Sequence, residues 1–157
     1  MYYLTITNSV VLPVVDDEDG ERLSVFSWKY SGANGRGLGS IQRKQNDEMI
    51  SLASEVMGKP GFMFDHIDRN PFNNQKINLR QCTNQQNCCN KNRPKKNPSS
   101  IYRGVYWSKD RNKWRAALKV EYNTINLGQY KTEREAAIAY NNAAIIHHGQ
   151  FASLNII

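Results

Sequence analysis

Long apolar runs are missing from this 157-residue chain: the longest is the five residues from Ala136 to Tyr140, against the roughly 18 to 20 that a spanning helix needs. A transmembrane helix is excluded, and no membrane partner is expected. The N-terminal MYYLTITNS has no basic stretch followed by an apolar one, so it does not read as a secretory signal and an intracellular protein is expected. Cysteine is scarce and odd in number, with only Cys82, Cys88 and Cys89. Two of the three are adjacent, a poor disulfide framework that agrees with a reducing compartment. Four well-spaced ligands for a structural zinc are also missing. Gly32, Gly35, Gly37 and Gly39 cluster in SGANGRGLGS, but the spacing lacks the dinucleotide-binding fingerprint, and a flexible hairpin tip is the better reading. The length fits one domain or two small ones and rules out a large multi-domain enzyme.

What the chain does have is positive charge, a net +7 from 21 Lys and Arg against 14 Asp and Glu. It is unevenly spread, with −2 over residues 1–60, +5 over 61–98 and +4 over 99–157. The C-terminal two thirds therefore suit a polyanion such as DNA or RNA, bound with release of counterions. An acidic membrane surface is the weaker alternative, and the motifs have to decide.

The apolar, β-branched stretch from Thr5 to Val15 predicts a strand. The acidic cluster Asp16 to Asp19 with Gly20 predicts a solvated turn, with no chemistry assigned to it, and an apolar segment to Trp28 follows. KNRPKKNPSS, residues 91–100, reads as an extended connector. The expected division is 1–92, a basic linker at 93–99 and a second unit at 100–157.

Between residues 61 and 92 a short apolar strand runs into Asp65 and His66, a polar loop follows, and Ile77 to Gln81 return as a second strand. Thr83 with Gln86 three residues on is a capping-box signature, and Pro94 disfavours helix at Arg93, which predicts a helix over about 84–92. Such a strand, loop, strand and helix can gather a carboxylate, an imidazole and a carboxamide around one hard cation. The oxygens of Asp65 and Asn87 suit magnesium. The chemistry open to that set is phosphodiester hydrolysis, with His66 taking a proton from water. Neighbours on a regular strand face opposite sides, so Asp65 and His66 are expected where the strand ends or distorts. Taken singly, each residue also has an ordinary structural reading: Asp65 in a turn, His66 half-buried, Asn78 and Asn87 as caps.

Together these residues closely resemble the HNH endonuclease family, in particular its phage and intron homing members. Asp65-His66 matches the Asp-His at the end of the first strand, Asn74 the loop asparagine or aspartate, Asn78-Leu79-Arg80 the Asn-Leu-Arg, and Asn87 the helix residue of the metal site. The resemblance implies Asp65 and Asn87 as ligands of magnesium or manganese, with Asn90 as the alternative to Asn87. It also implies His66 as general base and Asn78 as the brace of the loop that orients it. The match covers roughly 40 residues. It departs upstream, where many relatives carry Leu-His-Arg and this chain reads Leu52, Ala53, Ser54.

From Ser100 the pattern predicts strands near 101–107, 113–121 and 124–130 and a helix over about 133–147, opened by a Thr132 and Glu135 capping box. Ala136, Tyr140, Ala143 and Ala144 mark its packing face. The other face of the sheet is expected to carry some of Arg103, Lys109, Arg111, Lys113, Arg115 and Lys119 among Tyr106, Trp107 and Trp114, although Trp114 suits a core. A sheet of this kind can enter the major groove. YRGVYW, the Lys113-Trp114 pair, LGQYKT and EAAIAYNNAA resemble the Apetala-two/ERF DNA-binding domain over about 55 residues. The resemblance implies a three-stranded sheet on the DNA, with contacts from Arg103, Gly104 and Tyr140. Some strand positions that are arginine in plant members are Tyr106, Ser108 and Asn126 here.

The sequence thus predicts an α+β protein, an HNH ββα-metal unit followed by a three-stranded antiparallel sheet with one packed helix. The expected activity is metal-dependent DNA cleavage by a homing endonuclease in a bacterial or phage-infected cell. Double-stranded DNA is the expected partner, with no small-molecule substrate. Arg80, Lys95, Lys96, Arg103, Gly104, Tyr106, Lys109, Arg115 and Lys119 are the expected DNA contacts. The rival reading is a DNA-binding regulator whose nuclease half has decayed, and RNA binding is a third.

Overall fold

Asn8 and Ser9 decide the first departure from the sequence pattern. The Asn8 carboxamide exchanges two hydrogen bonds with the backbone of Tyr30, both 2.7 Å, and the Ser9 hydroxyl closes a turn with Val11. Side chains that bind backbone in this way compete with a strand ladder. The run from Thr5 to Val15 is accordingly no continuous strand in the computed structural model, which describes residues 1–32, 39–90 and 99–157. The run pairs in two places, at its end as β2 (Val14–Val15) against β1 (Tyr2–Tyr3), and at Ile6 in a single parallel bridge to Trp28. The acidic cluster is not a turn but the start of α1 (Asp17–Ser24), where carboxylates complement the positive end of the helix dipole. Gly20 is required inside it, because a Cβ there would lie 2.2 Å from the Tyr2 ring.

The chain divides into two compact units, Met1–Asn87 and Cys88–Ile157. In the first, β3 (Lys29–Ser31), β4 (Ser40–Gln45) and β5 (Glu48–Ser51) form an antiparallel sheet with β4 in the middle. The expected glycine-rich tip between β3 and β4 falls mostly on residues 33–38, outside the described residues. Asn46 and Asp47, both at positive φ, make the tight turn between β4 and β5. α2 (Leu52–Val56) follows, capped by the Ser51 hydroxyl. β6 (Phe64–His66) and β7 (Leu79–Gln81) then form an antiparallel hairpin ahead of α3 (Asn84–Asn90). The predicted second strand loses its first two residues to a 3-10 turn at Lys76–Asn78. The capping box forms as expected, Gln86 N–H donating to the Thr83 hydroxyl and Thr83 N–H to Gln86 Oε1. Leu4, Leu23, Trp28, Leu52, Phe64 and Leu79 are buried in one core.

In the second unit β8 (Val105–Ser108), β9 (Lys113–Val120) and β10 (Asn123–Tyr130) form an antiparallel sheet with β9 central, and α4 (Glu133–His148) covers one face. β8 starts later than the pattern suggests, because Gly104 at φ +72 turns the chain first. Both halves of the Thr132 and Glu135 capping box are present. Ala136, Ala137, Tyr140, Ala143 and Ala144 are the buried face of α4. The expected boundary at residue 92 and linker at 93–99 fall largely on residues 91–98, outside the described residues. The fold class is α+β. Among the described residues no helix is long and apolar enough to cross a membrane.

Candidate functional site

Pairing in the β6–β7 hairpin is Phe64 with Gln81, Asp65 with Arg80 and His66 with Leu79. Phe64 and Leu79 enter the core, which puts Asp65 and Arg80 on the opposite face. There Arg80 Nη2 and Nε donate to Asp65 Oδ2 at 2.6 and 3.0 Å, and the carboxylate is buried, with Asp65 only 5% exposed. His66 is the last residue of the strand and pairs with Leu79, so the register sets it on the Leu79 side rather than with Asp65, at the point where the strand gives way to the loop.

The loop from 67 to 78 is closed by one side chain. Asn78 accepts the Asp68 N–H on Oδ1 at 3.0 Å and donates through Nδ2 to Asp68 Oδ1 at 2.9 Å and to the Asn73 carbonyl at 2.8 Å. Asp68 is further bonded by the Asn70 N–H and the Asn73 amide. Burial would raise its carboxyl, and these hydrogen bonds together outweigh that and lower it.

Inside the loop the fully buried Asn74 donates from Nδ2 to the Pro71 carbonyl at 3.0 Å. That bond fixes which way the amide points, so its oxygen is the atom 3.1 Å from His66 Nε2. A carboxamide oxygen accepts only, and the neutral imidazole therefore carries its hydrogen on Nε2 and its lone pair on Nδ1. Burial lowers the pKa of His66, against the smaller raising effects of Asn74, Asp68 and Asp65. Burial thus favours the neutral ring, the form in which it can take a proton.

Asn87 is half-buried, and its amide lies 3.6 Å from the sulfur of Met63. Met63 directly precedes β6, and its carbonyl accepts the Cys82 N–H at 3.0 Å. Asn90 is 4% exposed and belongs to the second unit. Among the described residues no three His, Cys, Asp or Glu side chains converge on one point as a metal centre. A carboxylate and a carboxamide are nonetheless hard oxygen donors, the kind that fit magnesium when water and substrate phosphate complete its shell. Leu52, Ala53 and Ser54, which replace the Leu-His-Arg of relatives, are all buried in α2.

In the second unit, strand alternation sorts the residues predicted for one face onto two. Trp107 pairs with Trp114, the rings meeting edge to face at 5.2 Å, on the side where Val105 and Ala116 pack on α4. Trp107 is therefore corrected to the helix side, because it sits two residues from the core residue Val105. Tyr106, Lys113, Arg115 and Lys119 lie on the open side. Tyr106, Arg115 and Gln129 form one cross-strand row, with the Arg115 guanidinium 5.7 Å from the Tyr106 ring centre. Lys109 and Arg111 are exposed in the turn between β8 and β9. Arg103 instead lies beside the buried Tyr140 of α4, where its charge opposes the rise that burial gives the phenol, while its backbone is held on both sides by the Asn155 carboxamide. Gly104 lies under the Tyr140 ring, where a Cβ would come within 2.0 Å of it. Lys95 and Lys96 lie outside the described residues. Gln129 and Asn155 carry no motif signal, and only pairing in space brings them in.

The first unit thus presents a hairpin followed by a helix with an imidazole at a strand end, and the second a basic three-stranded sheet backed by one helix. No family model matches the chain and no solved structure matches it. It is 38% identical over 137 residues to an uncharacterized HNH endonuclease of Acanthamoeba polyphaga mimivirus, covering 86% of this chain and 70% of that protein. Protein 3.8 of Escherichia phage T7 is 36% identical over 92 residues, 59% of this chain and 74% of that one. An ethylene-responsive transcription factor-like protein of Arabidopsis thaliana is 33% identical over 86 residues, 54% of this chain and 37% of its own length. The chain belongs to the HNH endonuclease family.

Proposed function

We propose that the chain is a metal-dependent DNA endonuclease of the homing type, in which residues 1–92 cut and residues 100–157 bind double-stranded DNA. The observation that carries this reading is the buried Asn74 amide, locked by the Pro71 carbonyl, that holds neutral His66 with its lone pair on Nδ1. In the reaction His66 takes the proton of the attacking water. Asn78 keeps the loop closed so that the ring does not turn away. Asp65 and Asn87 are the residues that would hold magnesium or manganese, which when bound supplies positive charge to the developing phosphorane and leaving oxygen. The products are a 5′-phosphate and a 3′-hydroxyl. Arg115, Lys119 and Tyr106 on the open sheet face contact the duplex, with the phosphates taking the cations. The setting is the interior of a bacterial or phage-infected cell.

The test is cleavage of DNA drawn from the protein's own genomic neighbourhood, with magnesium, manganese or chelator, comparing the wild type with His66→Ala. Metal-dependent cuts that vanish in the variant support the proposal. The second reading, a regulator that binds DNA without cutting it, is favoured by the Arg80 guanidinium on Asp65 and by the buried Leu52, Ala53 and Ser54. Tight binding with both strands intact in either metal would establish it in place of the nuclease.

A further inference from the structure

The acidic run at the start of α1 reaches into the nuclease loop. Val14 donates its N–H to the Phe72 carbonyl and accepts the Asn74 N–H, each at 2.8 Å, a parallel bridge between Val14 and Asn73. Two residues on, both oxygens of Asp16 are taken by that loop. The Lys76 N–H donates to Oδ2 at 2.8 Å and Gln75 Nε2 to Oδ1 at 3.2 Å. Lys76 opens the 3-10 turn, and the first N–H groups of any helical turn have no acceptor within it. Asp16 supplies that acceptor from a remote part of the chain, with a charged oxygen that makes the bond stronger than a neutral one. The turn ends on Asn78, the brace of the loop, and two residues before it stands Asn74, the partner of His66.

We infer that Asp16 is a positioning residue of the nuclease site: by capping the turn at Lys76 it fixes backbone 74–78, and with it the Asn74 oxygen that selects the His66 tautomer. The inference rests on the reading of His66 as the general base. It gives a task to the one member of the acidic cluster that bonds the loop backbone. Asp17, beside it, is exposed and pairs only with the N-terminal ammonium among the contacts described.

The experiment uses the full chain labelled with 15N-histidine, at a pH where imidazole is neutral, together with steady-state cleavage. Wild type, Asp16→Ala, Asp16→Asn and Asp17→Ala are compared. The wild type should show His66 as the Nε2–H form. Asp16→Ala should drift toward a tautomer mixture and lose about tenfold in kcat, the scale of a modest misplacement of a reacting group, with KM for DNA unchanged. Asp16→Asn, which keeps one acceptor oxygen, should recover most of both signals, and Asp17→Ala should match the wild type. A folded Asp16→Ala with unchanged His66 nitrogen signals and kcat would overturn the inference. If Asp16→Ala does not fold, Asp16→Ser, whose shorter side chain draws the acceptor back from the Lys76 N–H and should disturb the His66 signal, is set against Lys76→Ala, which removes the ion pairs to Glu18 and Asp19 but leaves the Lys76 N–H on Asp16 and should not. A His66 signal disturbed equally in both would overturn the inference, since general anchoring would then account for it. If the wild type cuts no DNA, the nuclease reading falls while the tautomer signals still decide the role of Asp16.

Discussion

The Asn74 amide oxygen lies 3.1 Å from His66 Nε2 because the other end of the same amide is bonded to the Pro71 carbonyl. That contact raises the pKa of the ring, but burial of the ring lowers it more, with two consequences for pH. Burial holds the folded pKa of His66 below the ordinary imidazole value of about 6.5. Below that value the unfolded chain binds a proton that the folded one resists, so His66 withdraws stability as pH falls and withdraws none above it. The acid limb of cleavage should likewise lie below about 6.5. Rate against pH, with an NMR titration of His66 alongside, checks it; an acid limb above 7 would contradict the burial effect.

Arg80→Met should destabilise the first unit by about 3 kcal/mol, because it strips two hydrogen bonds from a buried carboxylate. Adding Asp65→Asn should return much of that loss. Urea unfolding of the two single variants and the double variant measures the coupling, and additive losses would mean the pair is not coupled.

Arg115→Ala should weaken DNA binding across all sequences and lower the slope of log affinity against log salt by about 1, leaving folding intact. Lys119→Ala should do the same independently. Binding isotherms over a salt series read both, and an unchanged slope would remove these side chains from the phosphate contacts.

Gly104→Ala should cost about 3 kcal/mol, since its Cβ meets the Tyr140 ring and the residue has φ +72. Gly149→Ala isolates backbone strain: nothing lies within 4 Å, but φ +51 with ψ −129 is a conformation that essentially only glycine adopts, and about 2 kcal/mol of strain is expected. Thermal unfolding of both variants measures the two costs, and Gly104→Ala, which adds the clash with Tyr140, should show the larger one.

Thr132→Ala removes the hydroxyl that accepts the Glu135 N–H and should cost about 1 kcal/mol. Cleavage measured well below the melting transition should not change.

Local signals were the legible ones. Both capping boxes, at Thr83 with Gln86 and at Thr132 with Glu135, form as their spacing predicts, because the bonding groups are three residues apart and need no help from the rest of the fold. The small-residue face of α4 was readable for the same reason. Where local preferences compete, the pattern misled. The acidic cluster suits a turn and a helix start equally, and the β-branched run to Val15 was interrupted by the bonds of Asn8 to a strand far along the chain. Composition carries no side, so it does not separate Trp107 from the basic residues around it; the register with Trp114 does.

Residue types and short spacings in the sequence by themselves determined the chemistry on offer: a carboxylate next to an imidazole, an Asn-rich loop, a helix start after it, and cationic strands with net positive charge. Tertiary structure alone decided which groups are already engaged. It set Arg80 on Asp65, brought Arg103 to Tyr140, and closed Asp16 onto Lys76. The physical reason is that the last of these bonds joins residues 60 positions apart, where the energy of a hydrogen bond is realised only after the intervening chain has folded and met the cost of closing the loop.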